Sequence, residues 1–165
     1  MMKKAWLIGT VLGVMTCGLA SGQIGGKTSG DPRVKRLLDS LGFKYKVTNS
    51  HDFVLVFEVG DGRSQEVFIN SSTERYKEFE IREVYSPCYR STKRLAPDQL
   101  RRLLMDSGDK KLGSWYLLSS DEGEAAVFTV KAAADVSEED MRSLIQLVTE
   151  AADDMEQELT GTDDL

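Results

Sequence analysis

Between Met141 and Leu159 the apolar residues Met141, Leu144, Ile145, Val148, Ala152, Met155 and Leu159 return with a helical period. They mark one stripe along a helix of about 22 residues. A helix this long with one dry face must lay that face on something, and the rest of the chain has to supply the cover. Ser137 and Asp140 form a capping-box pattern at its start, and Val136 and Met141 are spaced for a hydrophobic staple.

The cover reads as short strands. Phe43, Tyr45 and Val47 alternate with Lys44, Lys46 and Thr48, and a turn at Asn49-Ser50 follows. Phe53 to Val59 is apolar at nearly every position, as in a strand covered on much of both faces. Asp61-Gly62 is a hairpin signal leading into Val67 to Ile69. After a turn at Asn70 to Thr73, Phe79 and Ile81 alternate with Glu80 and Arg82, whereas residues 83–94 carry no clear period. Trp115 to Leu118 and Ala126 to Val130 form a further hairpin through Asp121-Glu122-Gly123.

Two shorter helices complete the pattern. Asp31 is placed as N-cap and Pro32 as first helical residue; Val34, Leu37, Leu38 and Leu41 make the stripe, and Gly42 the stop. Pro97 opens the second, with Leu95 and Leu100 as a staple, Leu100, Leu103 and Leu104 as the stripe, and Gly108 as the end. The expected fold is α+β, an antiparallel sheet with helices packed on it in the order α-βββ(β)-α-ββ-α. With 41% hydrophobic and 29% charged residues over 165 positions, a single globular domain is expected at 31–160, followed by a short acidic tail at 161–165.

The first residues read as an address. Met1-Met2-Lys3-Lys4 is basic, and Ala5 to Met15 is uncharged and mainly apolar. At 11 residues that run is about half of what a membrane-crossing helix needs. Small residues follow, so residues 1–22 are expected to be a secretory signal peptide, with cleavage between Gly22 and Gln23, or alternatively between Ala20 and Ser21. Val14-Met15-Thr16-Cys17 resembles the box in which bacterial lipoproteins carry their lipidated cysteine, and Cys17 lipidation is the alternative that would tie the protein to a membrane. Residues 23–30 read as a flexible linker. Their Gly25-Gly26-Lys27-Thr28 lacks the upstream glycine, strand and following helix of a phosphate-binding loop.

Removing residues 1–22 leaves 19 bases against 27 acids, a net charge of −8, and one cysteine, Cys88. That balance argues against nucleic acid as a partner. The charge is unevenly spread. Residues 90–111 hold seven bases against three acids, and residues 134–165 eleven acids against Arg142 alone. Arg94, Arg101 and Arg102 are therefore the candidate interface residues, facing an acidic partner or the acidic helix of a second copy, while solvated faces of opposite sign remain the simpler alternative. No catalytic, cofactor or metal constellation is expected. His51 is the only histidine, nothing in the sequence joins it to Cys88, no loop has calcium-ligand spacing, and no Gly-x-Ser-x-Gly elbow is present. A small hydrolase would need a site these patterns do not display.

The run Leu37-Leu38-Asp39-Ser40-Leu41-Gly42-Phe43-Lys44-Tyr45 entering Asp52 to Phe57, the passage from Leu103-Leu104-Met105 through Leu112 to Leu117, and Val148 to Glu156 together resemble the YbjN-like family of bacterial sensory-transduction regulators. That family shares the fold of the type III secretion chaperones. The resemblance spans roughly residues 31–160 and carries no catalytic signature. It implies a chaperone-like or regulatory module that binds a protein partner and forms homodimers. With the N-terminal address, the expectation is an exported, secreted or periplasmic, non-enzymatic protein. An envelope lipoprotein with a structural role, anchored through Cys17, is the alternative.

Overall fold

The computed structural model describes residues 30–60 and 62–160. Residues 1–29, with the signal-peptide, cleavage and Cys17 expectations, lie outside the described residues, as does the tail. In chain order the elements are α1 (Pro32–Ser40), β1 (Lys46–Val47), β2 (Phe53–Gly60), β3 (Arg63–Ile69), β4 (Glu74–Tyr76), β5 (Phe79–Ser91), α2 (Pro97–Asp109), β6 (Ser114–Ser120), β7 (Gly123–Ala133) and α3 (Glu138–Thr160).

The seven strands form one sheet in the order β1-β2-β3-β5-β7-β6, with β4 paired to β5, and every ladder is antiparallel. The fold is thus α+β. The stripe of α3 lies across β5, with β3 and β7 on either side, burying Met141, Leu144, Ile145, Val148, Ala152 and Met155. Strand residues of one pleat face meet it: Phe53 and Leu55, Val67 and Ile69, Val84, Phe128 and Val130. α1 adds Val34 and Leu38 to the same core, and α2 rests on β6 at the sheet's margin.

Capping follows the sequence. Asp31 accepts the Arg33 N–H at 2.7 Å and Ser137 accepts the Asp140 N–H at 3.0 Å, each satisfying an orphan donor of a first helical turn. Asp31 also pairs at 2.5 Å with the guanidinium of Arg82, a residue only 1% exposed. Arg82 Nη1 in turn donates to the carbonyls of Asn70 and Ser71. The start of α1 is thereby fastened to the middle of the sheet by a buried charge that is itself hydrogen-bonded.

Several features differ from expectation. β1 keeps only Lys46–Val47 of the alternation from Phe43, Val56 of β2 is 58% exposed rather than covered, and on β5 Phe79 is exposed while Arg82 is buried. Residues 83–91, which carry no period, continue β5 to 13 residues. Burial on both faces removes the alternation there, and a register shift between Pro87 and Tyr89 accommodates a proline inside a central strand. β4 is a three-residue exposed strand with no apolar alternation to announce it. Gly108 does not end α2, which runs one residue further. At the β6–β7 hairpin, by contrast, glycine is required. Gly123 has φ +138°, and a Cβ there would stand 2.0 Å from the Ser91 carbonyl oxygen.

Candidate interaction surface

Among the described residues α2 meets the sheet chiefly through β6 and buries a narrow arc. Leu103 is 4% exposed and Asp106 faces inward, where its carboxylate accepts the Trp115 indole N–H at 2.7 Å. Leu104, expected in the buried stripe, is 71% exposed, and its neighbour Met105 55%. Successive helical residues are turned by about 100°, so Arg102 and Leu104 flank Leu103 on opposite sides. Arg102 reaches α3, donating to Glu158 at 2.5 and 2.7 Å and lying 3.5 Å from Asp106. Leu104 consequently projects from the flank turned away from α3. Pro97, Leu100, Arg101, Leu104 and Met105 line a shallow hollow of about 530 Å³ on that side.

Beside this flank runs β6, the last strand of the sheet. Its sequence, Ser-Trp-Tyr-Leu-Leu-Ser-Ser, contains no charge, proline or glycine, the devices with which exposed edges are usually protected from pairing. The Trp115 N–H donates to the Ser107 hydroxyl at 2.9 Å and therefore does not point at β7. Main-chain groups two residues apart point the same way. The N–H and C=O of Leu117 and Ser119 thus face outward, where nothing among the described residues takes them up.

The three candidate arginines have separate fates. Arg102 is committed to the acids of its own chain, so part of the charge asymmetry is satisfied internally. Arg101 lies among apolar residues on the outer flank. Arg94 sits at the far end of β6, in a second hollow of about 330 Å³ with Lys93, Ser119, Ser120 and Glu124. The apolar flank was missed by sequence reading, since Leu104 is at core spacing and only the position of α2 over an edge strand turns it outward.

Cys88 and His51 stand in different surroundings. Cys88 is fully buried in β5, and burial, with Glu156 and Asp106 nearby, pushes its thiol far up from the usual range. His51 lies in the exposed turn before β2, where its carbonyl accepts the Ser71 hydroxyl, and the structure does not bring it to Cys88. Among the described residues no group of three or more His, Cys, Asp or Glu side chains could hold a metal ion, and no helix is long and apolar enough to cross a membrane.

Fold and surface together define a small α+β module: among the described residues, three helices on an antiparallel sheet, with an exposed apolar flank on α2 near the edge strand β6. The chain is similar to the crystal structure of YbjN from E. coli, described as a candidate transcription regulator, at a TM-score of 0.50 and 13% identity over 81% of this chain and 93% of that one. At that identity the likeness establishes a YbjN-like fold. No family model matches the chain, and no curated protein matches it in sequence.

Proposed function

We propose that this chain is an exported, non-enzymatic module that works by binding protein through the α2–β6 side. The observation that carries this reading is the coincidence, in one place, of exposed Leu104 and Met105 with a free, uncharged strand edge. Contiguous apolar surface of this kind marks contact sites on soluble domains. The basic start, short apolar run and small residues before Gln23 support export.

Capture from the cell envelope tests the binding claim, using the wild-type chain and Leu104→Glu side by side. A partner retained by wild type and lost with the variant is the expected result, and equal capture by both would contradict it. Mass spectrometry of the native N-terminus tests export. A new terminus at Gln23 or Ser21 is expected, whereas diacylglycerol on Cys17 would mean lipid anchoring and an intact Met1 no processing.

A further inference from the structure

We propose that the tip of the β4–β5 hairpin is a membrane-contact element, which lays the rings of Tyr76 and Phe79 into the headgroup region of a lipid bilayer. This goes beyond the α2–β6 reading and rests on other residues.

β4 pairs with β5 alone and lies off the main path of the sheet. β7 stops at Ala133, opposite Ile81, so the last part of the hairpin extends past it as a two-stranded ribbon. Every residue from Glu74 to Phe79 is exposed, and among them Tyr76 is 70% and Phe79 55% exposed. These two stand opposite each other in the ladder, and opposed residues carry their side chains to the same side, about 5 Å apart. The tip therefore presents two adjacent rings on one side of the ribbon. Lys77 enters the turn with its Nζ 5.8 Å from the centroid of the Tyr76 ring. A phenol and a phenyl ring beside a lysine, whose stem lies along apolar surface while its ammonium stays in water, are the composition of a membrane–water interface.

The charges behind the tip suit the same place. Arg75 pairs with Glu80 at 3.7 Å, Lys131 with Glu74 at 3.7 Å and Arg33 with Glu80 at 2.9 Å. Lys77 and Glu78 remain, one of each sign, and neither takes part in an ion pair among the described residues. The tip is thus neutral on a chain in which acids outnumber bases. Its hold on a bilayer comes from the rings and gains nothing from anionic lipid.

The path of the chain brings this end of the molecule to the lipid. The described residues begin at Gly30. The Asp31 N–H donates to Ser71 Oγ at 2.9 Å, and Arg33 Nη2 donates to Glu80, the neighbour of Phe79. Thr73, which leads into β4, donates to the same carboxylate. The chain therefore leaves toward its N-terminus at the foot of the hairpin. A strand rises about 3.4 Å per residue, which sets Tyr76 about 10 Å from Thr73. The apolar run Ala5 to Met15 and Cys17 both lie upstream of that exit. A chain entering a bilayer by its apolar run, or held by lipid on Cys17, presents this end to the membrane. Two rings give a weak second attachment there, and lasting attachment of a peripheral protein takes two such signals.

The test is photo-cross-linking to vesicles of phosphatidylcholine and phosphatidylethanolamine, using the chain purified from cells with its natural N-terminus. A benzophenone side chain replaces Phe79 or, for comparison, Ser120, which is exposed where β6 meets the opposite end of β7. Lipid adducts from position 79 are expected to exceed those from position 120 about tenfold or more, and Tyr76→Ser to cut the yield from 79 about threefold or more. An unchanged melting temperature is expected for Tyr76→Ser and separates this loss from unfolding. Adding phosphatidylglycerol is expected to alter the yield by less than about twofold. Equal yields from the two positions, or no lipid adduct from 79, would overturn the proposal. So would a yield that rises with phosphatidylglycerol and is indifferent to Tyr76→Ser, because charge and not the rings would then hold the chain. Adducts from 79 to a second copy in place of lipid would assign the tip to self-association and overturn it too. The α2–β6 reading stands or falls separately, by capture with Leu104→Glu.

Discussion

Cys88 and the acids around α1 show how single residues set the chemistry of this protein. A fully buried thiol whose ionisation is pushed up by burial is a poor nucleophile, because reaction proceeds through the thiolate. A soluble disulfide reagent at neutral pH should leave Cys88 untouched in the folded protein and modify it on unfolding; fast native-state labelling would contradict this. Glu80 behaves in the opposite sense. Hydrogen bonds from Arg33 and then Thr73 lower its carboxyl from 4.5 to about 2. At Asp31 burial opposes ionisation, but the bonds from Arg33 and Arg82 outweigh it and the carboxyl lies well below the usual range. Both groups are depressed in the folded state, so their stabilisation is complete above the ordinary carboxyl range and is lost as pH falls toward the folded values. Melting temperature should drop between about pH 4.5 and about pH 2. Glu80→Gln should flatten that drop, and an unchanged pH profile would contradict the assignment. Asp31→Ala leaves the buried Arg82 without its counter-charge and should cost about 3–5 kcal/mol in denaturant unfolding.

Among the elements, α3 and α2 are a matched pair of opposites. Leu144 is 6% exposed beneath α3, and Leu144→Ala should cost about 2–5 kcal/mol. Leu104→Ala, on an exposed flank, should stay within about 0.5 kcal/mol of wild type. Comparable losses at both positions would mean that the α2 flank is covered. The contrast also explains what was legible in the sequence. The caps at Asp31 and Ser137 and the stripe of α3 are local signals, and each element stands where those signals put it. β5 beyond Arg82 was illegible because a strand buried on both faces and broken by a bulge at Pro87 loses its period of two. β4 was illegible because three exposed residues hold no period at all. The site was half legible. Basic character at Arg94, Arg101 and Arg102 is visible as composition, but which arginine is internally paired depends on α3 passing beside α2, a contact across more than fifty residues.

At the scale of the whole molecule, the surface follows from how the sheet is roofed. α3 covers the centre, α1 packs beside it, and the margin is left to α2, whose footing chiefly on β6 leaves Leu104 exposed and the edge of β6 unpaired among the described residues. The Arg102–Glu158 pair ties α2 to α3 and fixes that orientation. Reversal by Arg102→Glu should lower stability by no more than about 1 kcal/mol, as for other exposed pairs. The measurement that bears most directly on the binding surface is site-specific photo-cross-linking in living cells. A benzophenone side chain is placed in turn at Leu104, on the α2 flank, and at Val56, which is 58% exposed on β2. Covalent adducts to a partner protein from position 104, with none from position 56, are the predicted result. Adducts from position 56 with none from 104 would contradict the α2–β6 side as the binding surface.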